Sequence, residues 1–186
     1  KLADLRRDFD AVFLGVGLPR TNSLGLKDED AKGMEDAVDY IAALRQAKDL
    51  SKLKVGRRVL VIGGGMTAID VAVQSKLLGA EDVTILYRRG AAQMKASPYE
   101  QDLAQTRGVK IKHWLAPRKI LTKAGKVTGL RCDYMKDVRG KLVATGETAG
   151  FEADMIFKAI GQTGSAVADM AMKGDRIIVD AERRTS

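Results

Sequence analysis

Two rhythms of apolar residues alternate along the chain. Short β-branched runs closed by glycine or charge predict strands, and apolar positions three and four apart predict helices. Arg58-Val-Leu-Val-Ile-Gly63 is the clearest run of the first kind. Ala68, Ile69, Ala72, Val73 and Leu77 form the clearest helical stripe, with Gly79 where a C-terminal cap would fall. A second strand, Val83-Thr-Ile-Leu-Tyr-Arg-Arg89, follows. Ser97-Pro-Tyr-Glu100 then opens another helix, with Ser97 as N-cap, Pro98 at the first position and Glu100 closing a capping box. That helix is expected to end near Gly108, before a strand over residues 109–115.

Alternation continues over residues 119–122, 127–134 and 141–148, broken at Ala124-Gly125 and Gly140, which predicts a three-stranded meander. Residues 153–160 read as a further strand running into Gly161-Gln-Thr-Gly164, and residues 176–179 as the last. Upstream, residues 9–17 read as a strand and residues 21–32 as a polar loop. Residues 34–47 carry helical spacing through Val38, Ile41, Ala42 and Leu44.

The turn at Gly63-Gly64-Gly65-Met66-Thr67 carries the chemistry. Gly63, Gly65 and Ala68 occupy the three marked positions of G-x-G-x-x-G/A between a strand and a helix. Gly63 allows the tight turn, Gly65 lets a pyrophosphate approach the main chain, and Ala68 keeps the helix close to the strand. The first N–H groups of that helix then point at a phosphate. The fold class expected is α/β: a Rossmann-like, three-layer dinucleotide-binding domain with a parallel sheet and an inserted β-meander.

The end of the next strand selects the ligand. NAD-preferring sites place Asp or Glu there, about 20 residues past the glycines, to accept from the ribose 2′-hydroxyl. This chain has Tyr87-Arg88-Arg89 instead. Guanidinium groups bind a 2′-phosphate through charge-assisted hydrogen bonds of roughly 1.5–3 kcal/mol each, so NADPH is the expected ligand, with Lys95 a third cation on the following loop. A solvated pair of arginines at a strand end is the plainer alternative. The missing carboxylate also argues against an S-adenosylmethionine methyltransferase.

Composition narrows the classes further. With 32 basic and 24 acidic residues the net charge is +8, but the cations are spread along the chain and aromatics make up 5%, so no nucleic-acid partner is expected. No apolar run approaches the ~18 residues of a membrane span, and the charged first residues are no signal peptide, so no membrane partner is expected and the cytoplasm is the expected location. The single cysteine, Cys132, excludes an internal disulfide or a four-cysteine cluster within the chain and reads as a buried structural thiol. The single histidine, His113, reads as structural or surface, not as a base or ligand.

The order of parts resembles the pyridine-nucleotide domain of flavoproteins that bind two dinucleotides, in particular the glutamate synthase small subunit and the FAD/NADPH part of dihydropyrimidine dehydrogenase. The residues that carry the likeness are Asp10-Ala-Val-Phe-Leu-Gly-Val-Gly-Leu-Pro19, Val61-Ile-Gly-Gly-Gly-Met-Thr-Ala-Ile-Asp70, Tyr87-Arg-Arg-Gly90 with Met94, and Lys158-Ala-Ile-Gly-Gln162. The resemblance implies that Gly63, Gly64, Gly65, Met66 and Thr67 form the pyrophosphate loop. It makes Arg88, Arg89 and Lys95 the 2′-phosphate site, and Ala159 to Gly161 a lining on the nicotinamide side. Met66 departs from the aspartate that such relatives commonly carry at that position.

It further implies a domain plan: residues 1–20 a stub of a flavin domain, 21–55 a connector with a helix, 56–164 the NADPH-binding domain, and 165–186 a return toward the flavin domain. The glycine fingerprint and Gly-Asp segment that hold FAD in such relatives, and their N-terminal cluster cysteines, are not in this sequence. FAD and iron-sulfur clusters are therefore expected only in a longer polypeptide or its partner. The expected partners are the remaining FAD domain and an iron-sulfur or FMN subunit or domain. Hydride transfer between cofactors needs position more than acid–base chemistry, so no catalytic residue is named. A self-sufficient NADP-dependent dehydrogenase is the main rival, but none of Tyr40, Tyr87, Tyr99 or Tyr134 has Lys four residues on. A non-catalytic nucleotide-binding module is the other.

Overall fold

The computed structural model describes residues 1–18, 20–174 and 176–185; Pro19 of the N-terminal glycine-proline segment and Asp175 and Ser186 of the return segment lie outside them. The chain divides into two compact units, one of residues 21–161 and one of residues 1–20 with 162–186.

The larger unit is built in chain order from Met34–Asp36 (β1), Ala37–Gln46 (α1), Arg58–Gly63 (β2), Met66–Leu77 (α2), Asp82–Leu86 (β3), Pro98–Thr106 (α3) and Val109–Lys112 (β4). Leu115–Lys123 (β5), Lys126–Val138 (β6), Lys141–Glu152 (β7) and Met155–Ala159 (β8) complete it. Five strands form one parallel sheet in the order β1-β8-β2-β3-β4, and β5-β6-β7 form the antiparallel meander.

The two-residue period of a strand sorts the core into two halves. On β2, Val59 and Val61 join Val83, Ile85, Val109 and Phe157 on one face, where Ala68, Ile69, Val71 and Ala72 of α2 and Ala104 of α3 cover them. Leu60 and Ile62 join Leu86 and Ile156 on the other, where Leu115, Ile120, Val127, Leu130 and Cys132 of the meander cover them. The central strands are thus buried on both faces, which is why they read as continuous apolar runs. Helices, sheet and meander make the three layers expected.

Local signals set the helix ends. Ser97 accepts from the Glu100 N–H at 3.3 Å while the Glu100 carboxylate accepts from the Ser97 N–H at 2.7 Å, completing the capping box. At the end of α2, Gly79 takes φ +101°, its N–H reaches the Lys76 carbonyl at 3.0 Å and the Ala80 N–H reaches that of Ser75 at 3.0 Å. That is a Schellman cap.

Two expectations are corrected. Residues 34–36 are strand, not the first turn of a helix, because Met34, Glu35 and Asp36 pair with Ile156, Phe157 and Lys158; a long-range ladder outweighs local helical spacing. Residues 9–17 lie in no strand. In the smaller unit Leu2–Asp8 is helical, and residues 10–18 follow outside any helix or strand, with Phe13 95% exposed. An apolar run becomes a strand only when a sheet edge accepts it. In the same unit Met172–Lys173 pairs antiparallel with Arg176–Ile177. Among the described residues no helix is long and apolar enough to cross a membrane, which says nothing of β-barrels.

Candidate functional site

The glycine turn leaves β2 at the carboxyl edge of the parallel sheet. Gly63 has φ +151° and stands in register with Ala159, whose carbonyl oxygen a Cβ at Gly63 would strike. Gly64 lies under the Tyr87 ring, with its hypothetical Cβ 2.5 Å from Cδ2 and Cε2. Gly65 differs from both: a Cβ there would meet nothing within 4 Å. The first two glycines are required by protein packed against them, whereas the third faces open space.

Gly65 is the N-cap of the 12-residue helix α2 and offers no side-chain cap. The N–H groups of Ala68 and Ile69 bond the Gly65 carbonyl at 3.0 and 3.3 Å, but those of Gly65, Met66 and Thr67 meet no acceptor among the described residues. Unpaired donors and the positive end of the helix dipole therefore meet above Gly65, where an anion fits. Met66, at the first helical position, is 62% exposed.

The neighbouring strand end is tied to this turn. The Tyr87 hydroxyl donates to the Gln93 carbonyl at 2.7 Å, and the N–H groups of Lys95 and Ala96 donate to the Gly64 carbonyl at 2.8 and 3.0 Å. The side chains of Arg88, Arg89 and Lys95 are exposed and make no hydrogen bond or ion pair among the described residues. Three cations without a protein counter-charge thus stand on two segments that both touch the glycine turn. On the other side Ala159 adjoins Gly63. Gly161, at φ +98°, accepts the Asn22 N–H at 3.1 Å, while the Asn22 side-chain amide donates to Ile160 at 3.3 Å.

Sequence reasoning missed three features. Tyr87 joins the glycine turn to the arginines. Trp114 takes φ +61°, a left-handed conformation costing an aromatic residue roughly 1–2 kcal/mol, and no composition signal marks it. Lys158 pairs with Glu29 at 3.2 Å and Asp36 at 3.1 Å at the end of β8, with its side chain 15% exposed. A lone lysine in the run Met-Ile-Phe-Lys-Ala was the available signal for that cluster. Burial pushes the Glu29 carboxyl up, but hydrogen bonds from Leu24, Ser23 and Lys158 outweigh it and hold it below its ordinary value. Burial pulls Lys158 down, and Asp36 and Glu29 more than compensate.

Cys132 is fully buried, and burial together with Asp133 pushes its thiol up to about 12. His113 places Nε2 3.4 Å from the Met94 sulfur, and burial lowers its pKa, so it is neutral at pH 7. Among the described residues no group of three His, Cys, Asp or Glu is arranged to hold a metal.

The family model described as pyridine nucleotide-disulphide oxidoreductase matches residues 4–186. The chain is 38% identical over 177 residues to the glutamate synthase [NADPH] small chain of Escherichia coli (strain K12), covering 87% of this chain and 38% of that one. It is 35% identical over 172 residues to the NADPH-Fe(3+) oxidoreductase subunit beta of Geobacter sulfurreducens, covering 87% and 25%. To the NAD-dependent dihydropyrimidine dehydrogenase subunit PreT of Salmonella typhimurium it is 34% identical over 179 residues, covering 96% and 40%. The chain thus spans between 25% and 40% of the length of these relatives. Among solved structures, FprA of Mycobacterium tuberculosis in complex with NADPH superposes with TM-score 0.72 at 21% identity, over 93% of this chain and 54% of that one. Thioredoxin reductase of T. acidophilum gives 0.66 at 21%, over 89% and 51%. At that identity both likenesses speak to the fold.

Proposed function

The chain belongs to the pyridine nucleotide-disulphide oxidoreductase family, and from that premise we infer that it is the NADPH-binding domain of a flavoprotein oxidoreductase. The observation that carries the choice of ligand is the open, donor-lined space over Gly65 at the uncapped end of α2, flanked by three cations without a counter-charge. Gly63, Gly64, Gly65, Met66 and Thr67 hold the pyrophosphate through main-chain N–H groups. Arg88, Arg89 and Lys95 hold the 2′-phosphate. Ala159 and Gly161 line the nicotinamide side.

When bound, the coenzyme would supply a hydride to the flavin of the full enzyme. The protein's part is to orient and to retain: small residues admit the phosphates, cations choose the phosphorylated ribose, and no side chain here exchanges a proton with the coenzyme. FAD sits in the remainder of a longer polypeptide, and an iron-sulfur or FMN partner carries electrons onward. The chain's span of 25–40% of its relatives supports that reading, as do relatives named as subunits.

The relatives' names divide between NADPH and NAD, so coenzyme preference is the deciding measurement. Calorimetric titration of the chain is expected to give NADPH binding at least about tenfold tighter than NADH, the weight of one charge-assisted contact. Equal affinities, or no heat with either, would overturn the assignment. The isolated chain is expected to bind coenzyme without turnover and without a yellow chromophore.

A further inference from the structure

We propose that Trp114 is the positioning residue of the 2′-phosphate site, holding the Arg88-Arg89-Gly90 main chain in the orientation that favours the phosphorylated coenzyme. The proposal rests on the reading of that site as an NADPH site.

Nothing holds the two arginine side chains, which are exposed and without a protein partner among the described residues. Their placement is therefore set by the backbone that carries them; one short segment ties that backbone at three points, and Gln93 braces it through the Tyr87 hydroxyl at 2.7 Å and the Gly90 carbonyl at 3.1 Å. The Tyr87 N–H donates to the Lys112 carbonyl at 2.9 Å, and the Tyr87 carbonyl accepts the Leu115 N–H at 3.0 Å. The Arg89 carbonyl accepts the Trp114 N–H at 3.2 Å. Residues 112–115, the junction from β4 to β5, thus grip residues 87–89 at three points.

The left-handed φ of +61° at Trp114 belongs to this junction, between the last residue of β4 and the first of β5. The Met135 N–H fixes the residue from the other side by donating to the Trp114 carbonyl at 2.8 Å. The side chain makes the fourth contact. The indole and the Gln93 side chain share the place a side chain at Gly90 would take, for a Cβ there would stand 2.8 Å from Cζ2 and 3.2 Å from Cε2 of Trp114 and 2.9 Å from Gln93 Oε1. An apolar plate thus lies against the residue following the arginine pair. The strained conformation sits at the support of a binding segment, where strain is commonly kept. The segment it supports carries the two exposed guanidinium groups.

A residue that merely stabilised the fold would weaken both coenzymes alike when altered, since both share the pyrophosphate loop. A residue that aims the arginines weakens NADPH alone. The experiment titrates NADPH, NADH and the fragment 2′,5′-ADP into the parent chain, Trp114→Asn, Trp114→Phe, Gly90→Ala and the control Arg88→Ala/Arg89→Ala, with circular dichroism on each. Asn tolerates the left-handed backbone and removes the indole. Trp114→Asn and Gly90→Ala are expected to lose roughly five- to twentyfold in affinity for NADPH and 2′,5′-ADP, with NADH within about twofold. Trp114→Phe, which keeps an aromatic plate, is expected to retain most of the preference, and Gly90→Ala carries the test if Trp114→Asn does not fold.

Loss of NADPH preference in Trp114→Asn or Gly90→Ala, retained in Trp114→Phe, supports the proposal. Equal weakening of both coenzymes, or no weakening, overturns it. If the double arginine variant loses the preference while the Trp114 and Gly90 variants keep it, the positioning role alone fails. If the parent chain shows no preference, the NADPH reading fails and this role with it.

Discussion

Tyr87 lies with its ring so close on Gly64 that a methyl group added to the glycine would stand 2.5 Å from two ring carbons. The contact joins the glycine turn to the first residue of the arginine segment, and the Tyr87 hydroxyl extends it to Gln93. Gly64→Ala must therefore displace the ring or the turn, at a cost of about 1–3 kcal/mol in stability, with loss of both coenzymes. Tyr87→Ala removes the obstacle as well as the brace. In the double variant the two penalties are expected to sum to less than their parts by more than about 0.5 kcal/mol, measured by urea unfolding. Additive penalties would show that the two residues act separately.

The arginines make a separable contribution. Because Arg88 and Arg89 are exposed, each Ala substitution is expected to cost NADPH about 1.5–2 kcal/mol, the lower part of the range for charge-assisted bonds, and NADH almost nothing. Arg→Lys keeps the charge without the planar fork and is expected to fall between. The NADPH preference is also expected to shrink as salt rises from about 0.05 to 0.5 M. Titration of each variant at two salt concentrations is the measurement. A preference indifferent to salt would point to a contact other than charge.

Most of the dinucleotide-binding core was readable from the chain, because its decisive signals are local. The strand Arg58–Gly63, the glycines, the stripe on α2 and the Ser97 capping box each specify geometry within a few residues. What stayed hidden depends on partners far along the chain. Met34–Asp36 is a strand only because Met155–Ala159 lies beside it, and residues 9–17 have the composition of a strand without the neighbour. Within the site, Arg88 and Arg89 are visible as residue types. The indole packed against Gly90 is not, because no local pattern distinguishes Trp114 in a left-handed turn from Trp114 in a strand.

Cys132 faces the apolar layer between sheet and meander, and its thiol is pushed up to about 12 by burial and by Asp133. At pH 8 only about one molecule in ten thousand then carries the reactive thiolate, and access is closed as well. Labelling of the folded chain with a disulfide reagent is expected to proceed no faster than unfolding, and to become rapid in urea. Prompt stoichiometric labelling in native buffer would contradict the buried placement.

Lys158 sits between Glu29 and Asp36, and the sign of each shift sets where the cluster contributes to stability. Glu29 is held below its ordinary 4.5, so its contribution is complete above that value and is lost as pH falls through the lowered one. Lys158 is held above its ordinary 10.5, so its contribution is complete below that value and is lost as pH rises through the raised one. Between about pH 5 and pH 10 the cluster's contribution is flat. Lys158→Met leaves two carboxylates facing each other in a half-buried place, and is expected to cost about 2–4 kcal/mol at pH 7. Because those carboxylates then gain from taking up a proton, part of the loss is expected to return as pH is lowered from 7 to about 5, a range over which the parent chain's contribution is flat. Glu29 also accepts the N–H groups of Leu24 at 2.7 Å and Gly25 at 3.0 Å, so Glu29→Gln is expected to loosen that loop and to flatten the acid side of the profile. Urea unfolding of the three proteins at pH 5, 7 and 9, extended to about pH 3 for the acid side, measures all of this. A Lys158→Met chain as stable as its parent at pH 7 would show that the ion cluster contributes nothing to holding the loop on the sheet.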